Sequence, residues 1–252
     1  MDLQLKDRTV LVTGGSKGIG KGIAARFLEE GAKVAVVASG KESLQQVRQD
    51  LPDVVTLQGD LTDEKERERI FNEFIDTFGK IDVLVNNVGG SNGGKTMETP
   101  LSAFEDAMHL NYYSAVDFSQ RAVKKMKERQ SGSIVNISSI FGRESGGKPT
   151  YNASKAAMIS FTKSLANEVI KDGIRVNGVA PGSILHPTGN WQKRLDEDPE
   201  KINAFVEQEI PSQRFGTVEE VADVVLFLAS KKASWVVGAT INVDGGQSRA
   251  NF

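Results

Sequence analysis

The sequence predicts an α/β protein: a doubly wound, seven-stranded parallel sheet with helices on both faces, folded as a single domain over residues 1–252. Three observations carry this expectation. Seven short runs rich in Val and Ile recur without polar alternation, as strands buried on both faces do. Stretches of helical spacing separate them, and alternation of this kind calls for right-handed crossovers and a parallel sheet. No Pro-, Gly- or Ser-rich linker divides the chain, and 39% apolar with 25% charged residues is globular usage.

In chain order, strands are expected at 9–13, 33–38, 54–58, 81–86, 133–138, 174–179 and 239–243. Helices are expected at 19–30, 63–78, 102–127, 151–169 and 218–229, the last opened by the capping-box residues Thr217 and Glu220. Two segments break the rhythm, a glycine-rich loop at 89–95 and a long excursion at 183–214. The excursion is expected to hold a helix near 198–208 and to act as a substrate lid, with Trp191 and Phe205 facing the site and Pro187 and Gly189 near its hinge. Both segments leave carboxyl ends of strands, where such sheets bind ligands.

Composition excludes several functions. With 31 Lys and Arg against 33 Asp and Glu the formal net charge is −2, which attracts neither nucleic acid nor an anionic membrane. No apolar run approaches the roughly 18 residues of a bilayer span, and the first residues lack a basic stretch followed by an apolar one, so a cytoplasmic protein is expected. Zero Cys and two His rule out disulfides, thiol nucleophiles, Cys-bound zinc and a multi-histidine metal site.

Thr13-Gly14-Gly15-Ser16-Lys17-Gly18-Ile19-Gly20 follows the first strand and runs into a helix. Glycines there let backbone N–H groups approach a phosphate, and the helix N-terminus adds partial positive charge, which makes the sheet Rossmann-type and the ligand a dinucleotide. Gly15-x-x-x-x-Gly20-Lys21 also matches the start of a P-loop, but Gly22 offers no hydroxyl for magnesium. Farther along, Tyr151 and Lys155 stand four apart on one helix, so an ammonium can favour the phenolate and fit the tyrosine for proton transfer. Asn136-Ile137-Ser138-Ser139 ends the fifth strand with hydroxyls near the ligand crevice, and Asn111 is a polar intruder in an amphipathic helix.

In combination these motifs resemble the short-chain dehydrogenase/reductase family over essentially the whole chain: Thr13-Gly14-x-x-x-Gly18-x-Gly20, Asp60-Leu61, Asn86-Asn87-x-Gly89, Asn111, Ser138, Tyr151-x-x-x-Lys155 and Pro181-Gly182. The resemblance implies that Tyr151 exchanges a proton with the carbonyl or alcohol oxygen, that Ser138 hydrogen-bonds that oxygen, and that Lys155 lowers the tyrosine pKa and holds the nicotinamide ribose. It further implies that Asn111 anchors a proton-relay water, that Asp60, Leu61, Asn87 and Gly89 border the adenosine half of the cofactor, and that Pro181, Gly182 and Ile184 lie by the nicotinamide. Two departures stand out. Val88 replaces the usual Ala, and His186 precedes Pro187-Thr188 where the family commonly has Pro-Gly-x-Ile/Val-x-Thr, so Thr188 or His186 is expected to replace that threonine.

NADP(H) is expected over NAD(H). The second strand ends Ala38-Ser39-Gly40-Lys41 with no acid before Glu42, and Ser39, Lys41 and Lys17 suit a 2′-phosphate. A homotetramer is expected from the resemblance and from apolar residues such as Met158, Phe161 and Leu165 on the helix at 151–169. Among relatives the similarity is greatest to β-ketoacyl-acyl-carrier-protein reductases. Arg129 with Lys124, Lys125 and Lys127 offers a carrier-docking cluster, whereas Asp172 opposes one and the aromatic lid suits a small ketone. A carbonyl reductase for small keto substrates is therefore expected, with the carrier-protein reductase as alternative and a non-catalytic nucleotide-binding protein as a distant one. A Ser-His-Asp hydrolase lacks its G-x-S-x-G elbow.

Overall fold

The computed structural model describes residues 2–251; Met1 and Phe252, the ends of the expected domain, lie outside them. The elements run β1 (Thr9–Thr13), α1 (Gly18–Glu29), β2 (Lys33–Ala38), α2 (Lys41–Asp50), β3 (Val55–Gln58), α3 (Glu64–Phe78), β4 (Val83–Asn86), α4 (Leu101–Met108), α5 (Ser114–Lys127), β5 (Gly132–Ile137), α6 (Pro149–Val169), β6 (Ile174–Pro181), α7 (Asn190–Glu197), α8 (Pro199–Glu209), α9 (Val218–Ala229) and β7 (Thr240–Val243). All seven strands pair in parallel in the order β3-β2-β1-β4-β5-β6-β7. The order reverses between β1 and β4, and the crevice there is where a doubly wound sheet takes a nucleotide.

Each face of the sheet has its own core. On one, Ile23 and Phe27 of α1 and Val221 and Val225 of α9 are wholly buried against Val10, Val12 and Val36. On the other, Ile70 and Phe74 of α3, Phe118 and Met126 of α5 and Leu165 of α6 cover Leu11, Leu84 and Ile134. Side chains of this size contribute roughly 1.5–3 kcal/mol each on full burial. Gly22 belongs to the first core: a Cβ there would stand 2.8 Å from the Val218 side chain, so glycine lets α1 and α9 close on each other.

The central strands are buried on both faces as expected, but the edge strands β3 and β7 are only partly covered. Helix α2 has no counterpart among the expected helices; it buries only Leu44 and Val47, too little for a periodic signal. The expected helix at 102–127 is interrupted by one π turn, His109–Tyr113, between α4 and α5. The excursion carries two helices, α7 and α8, in place of one. Trp191 stacks on Phe205 at 4.6 Å between centroids and lies 5.3 Å from Phe215. Gly216 ties down the start of the excursion, its N–H donating to Ser183 O and its carbonyl accepting from Leu185 N, both at 3.0 Å.

Candidate active site

The glycine loop is shaped by steric demand. Gly14 and Gly18 have φ of 65° and 50°, and a Cβ on Gly14 would lie 2.8 Å from the Val88 backbone. A side chain on Gly20 would strike the Gly14 carbonyl. Thr13 and Asn87 fasten this loop to the one after β4: Asn87 Nδ2 donates to the carbonyls of Thr13 and Gly14 at 3.0 Å, and Thr13 Oγ1 accepts from the Asn87 and Val88 N–H groups. Lys17 begins α1 in an extended conformation without a side-chain cap, and the first turn holds no acid. Its free N–H donors, the half-buried Ser16 and Ile19, and the lack of side chains at Gly14, Gly18 and Gly20 fit the diphosphate of a dinucleotide.

At the end of β2, Ser39 and Lys41 are exposed, and neither Lys41 nor Lys17 has an ion-pair partner among the described residues. Asp60, after β3, turns one carboxylate oxygen onto the Thr62 N–H and hydroxyl, at 2.9 and 2.8 Å, while Leu61 is buried. Pro181 closes β6, and Gly182 passes so near Asp244 that a Cβ would meet its side chain at 2.7 Å. Ile184 is buried and bridges to Gly216. His186 lies against Gly18, its ring 2.7 Å from where a Cβ would stand, and its Nδ1 is 3.3 Å from Thr188 Oγ1. Burial lowers the His186 pKa.

The proton-transfer groups come from α6, β5 and the π turn. Pro149 stands at the start of α6, where its missing N–H costs nothing, and places Tyr151 in the first turn and Lys155 one turn later. Lys155 is almost wholly buried. Its Nζ donates to Ile137 O at 2.8 Å and lies 5.5 Å from the centre of the Tyr151 ring. Desolvation lowers its pKa to about 8. Asn111, also fully buried, accepts from Gly90 N at 2.8 Å and donates to Gly90 O and Ala107 O, clamping the loop after β4. A Cβ on Gly89 would meet Asn111 Oδ1 at 2.6 Å and Lys155 Nζ at 3.3 Å, so glycine is what lets the chain pass between them.

Two expectations change here. Ser138 is buried, and its hydroxyl donates to the Lys155 carbonyl at 2.9 Å, away from the phenol. The hydroxyl beside Tyr151 belongs to Ser139, which accepts from Phe141 N and lines the same cleft as the tyrosine. Successive residues at the end of a strand face opposite ways, so the two serines cannot share a role. The second change concerns charge. Burial raises the Tyr151 pKa, the Ser139 side chain opposes that shift, and Lys155 does not bring it below the ordinary value. The phenol is therefore protonated at neutral pH in this state.

Tyr151 and Ser139 face a cleft of about 1450 Å³, also bordered by Ile184, His186, Trp191 and Phe205. A dinucleotide cradle beside a half-buried tyrosine and a buried lysine one helical turn on defines an oxidoreductase that interconverts CH–OH and carbonyl groups with NAD(P). The chain belongs to the short-chain dehydrogenase/reductase family. The family described as enoyl-(acyl carrier protein) reductase matches residues 14–248. The 3-oxoacyl-acyl-carrier-protein reductase FabG of Staphylococcus aureus is 36% identical over 95% of this chain and 97% of its own. Levodione reductase of Leifsonia aquatica is 36% identical over 97% and 95%. Among solved structures, L-sorbose reductase from Gluconobacter frateurii, complexed with NADPH and L-sorbose, superposes with a TM-score of 0.93 at 31% identity, covering 99% of this chain and 100% of that one.

Proposed function

We propose that the protein is an NADP(H)-dependent carbonyl reductase for small keto substrates, with Tyr151 as general acid. The observation that carries this reading is the Tyr151 side chain beside the Ser139 hydroxyl, one helical turn from the buried Lys155, on the wall of a cleft bordered by the Trp191–Phe205 stack. A neutral phenol is the proton donor that reduction requires. The reduced nicotinamide cofactor supplies the hydride when bound. Ser139 donates a hydrogen bond to the carbonyl oxygen, and Tyr151 passes its proton to that oxygen as charge develops there. The Lys155 ammonium steadies the phenolate left behind and offers N–H donors to ribose hydroxyls. Asn111 holds the loop after β4 in place and so keeps Gly89 against Lys155.

NADP(H) is favoured by Lys17, Lys41 and Ser39 with no carboxylate at the end of β2, and the sorbose reductase relative was solved with NADPH. The carrier-protein alternative draws on the FabG relatives, but three of its four docking cations are engaged. Arg129 pairs with Asp82 at 3.0 Å, Lys127 with Asp172 at 2.9 Å and Lys125 with Glu128 at 3.2 Å. A cytoplasmic homotetramer remains part of the reading, carried by the terminal stretch at 236–252, also expected at an interface, and no longer by the helix at 151–169. Met158 and Leu165 lie within the chain's own core, whereas Trp235, 97% exposed, stands just before the open edge strand β7. No described helix is long and apolar enough to cross a membrane.

The test is NADPH oxidation against a panel of free ketones and acetoacetyl-CoA, with Tyr151→Phe alongside. Turnover of free ketones that falls at least a hundredfold in Tyr151→Phe, with cofactor affinity kept, is expected; a variant retaining more than about a tenth of the activity removes Tyr151 from the chemistry.

A further inference from the structure

Charged groups of the substrate cleft are unevenly partnered. Five cations line it, Lys95, Lys148, Lys193, Arg194 and Arg249, against three carboxylates, Glu144, Glu197 and Glu209. Two of the carboxylates are already turned to Arg249: Glu209 lies 4.0 Å from its guanidinium, and Glu144 accepts from its backbone N–H at 3.0 Å. Lys95, Lys148, Lys193 and Arg194 form no ion pair with any described residue. Arg194 is the one held in place. Its guanidinium lies over the Trp191 ring at 5.1 Å, away from Glu197 three residues on, and the ring beneath it is fixed by Phe205 and Phe215. A guanidinium resting on a stacked aromatic shelf keeps its five N–H donors free at the edge and loses little rotamer freedom when an oxyanion arrives. Lys148 occupies the cap position of α6, three residues before Tyr151, so positive charge also borders the cleft next to the reacting phenol.

We propose that the substrate is an anionic ketone, a small keto acid whose carboxylate is bound by Arg194 with support from Lys148, while its carbonyl is presented to Tyr151 and Ser139. This rests on the reading of the cleft as that of a carbonyl reductase and names its substrate class. The carboxylate takes no part in the chemistry: the carbonyl gains a hydride and the Tyr151 proton, and a hydroxy acid leaves with its charge unchanged.

The experiment pairs linear keto acids of four to six carbons, acetoacetate, 4-oxopentanoate and 5-oxohexanoate, with their methyl esters. Steady-state kinetics are read together with ligand affinity from Trp191 fluorescence, measured with cofactor present in a Trp235→Phe background, which leaves Trp191 the sole tryptophan. At least one acid is expected to show a KM and Kd tenfold or more below its ester, and added salt is expected to erode the advantage. Arg194→Gln brings that acid's KM up to the ester's, Lys148→Gln has a smaller effect in the same direction, and Arg194→Lys restores part of the preference. Esters bound as well as acids would overturn the proposal, and so would an acid preference that survives both neutral variants. Acetoacetyl-CoA exceeding every free acid about a hundredfold in kcat/KM would assign the cations to the phosphates of a thioester carrier and overturn it too. Acid-selective quenching without turnover of any ketone leaves the anion site standing and removes the reductase reading; turnover without acid selectivity does the reverse.

Discussion

Lys155 is a buried ammonium, and its cost to the fold can be measured separately from its part in turnover. Its pKa falls from an ordinary 10.5 to about 8 through desolvation, so between those values the unfolded chain binds a proton that the folded chain has released. Folding stability conferred through this group therefore rises with pH across that window, at about 1.4 kcal/mol per pH unit, and is flat below it. Between pH 7 and 9.5 the integrated change is about 2 kcal/mol. Replacing Lys155 with Met removes that proton linkage. It also removes the hydrogen bond to Ile137 O, which shifts the variant's stability by a constant and leaves the pH slope alone. Both chains should be compared in a Tyr151→Phe background, because the phenol titrates above its ordinary value and would add a slope of its own. Urea unfolding at matched protomer concentration, at half-unit pH steps, gives the difference directly. The chain that keeps Lys155 is expected to gain about 2 kcal/mol on the Lys155→Met variant over this range. Parallel stability profiles would refute the argument, because they would mean that Lys155 keeps an ordinary pKa in the fold.

Three further outcomes follow from other sites. Ser139→Ala is expected to lower kcat by about 10²–10³ with small loss of stability, while Ser138→Ala costs about 1–2 kcal/mol in unfolding free energy and leaves kcat within a fewfold, as checked by kinetics beside denaturation. Lys17→Glu with Lys41→Glu should weaken NADPH binding at least tenfold and leave NADH binding little changed; equal losses for both cofactors would place these lysines away from a 2′-phosphate. Asp82, almost fully buried and held at a pKa of about 2 by the Thr9 N–H, Lys80 and Arg129 despite its desolvation, gives stability that is fully present above the ordinary carboxylate pKa and lost as pH falls through 2. Asp82→Asn should therefore lower stability by about 2 kcal/mol at pH 7 and by much less near pH 2, as read from denaturation at both pH values.

Strands in the middle of the sheet were legible because burial on both faces writes a continuous run of Val, Ile and Leu, and β1 and β2 fall at their expected bounds. The glycine loop was legible because four of its residues, Gly14, Gly15, Gly18 and Gly20, admit no side chain. What stayed hidden depended on a single residue of phase or on tertiary contact. Ser138 and Ser139 are adjacent and chemically identical, and only the end of β5 at Ile137 decides which hydroxyl meets the phenol. The π turn leaves no Pro or Gly in the sequence; its visible trace is the polar Asn111, whose partners on the loop after β4 appear only once the chain is folded. The Lys155 ammonium was expected to dominate the phenol, yet burial of the phenol prevails, and burial is a property of the whole fold.

The π turn also bears on how this chain tolerates insertions and deletions. A π turn winds five residues through about the angle that four cover in an α-helix, so His109–Tyr113 absorbs one residue beyond regular winding while α4 and α5 keep their phase. Removing that residue would leave Phe118, Ala122 and Met126 on the sheet but take away the widened turn from which Asn111 clamps the loop after β4. The length of this turn therefore matters to Asn111 and its loop, not to the packing of α5. The connection from Pro187 to Asp198 carries no such constraint: its residues are mostly exposed, and α7 has no fully buried side chain. Descent within one scaffold can therefore change the length of this connection at little cost to the core, provided that Trp191 and Arg194 keep their places on the cleft wall, while the turn that carries Asn111 keeps its count of residues.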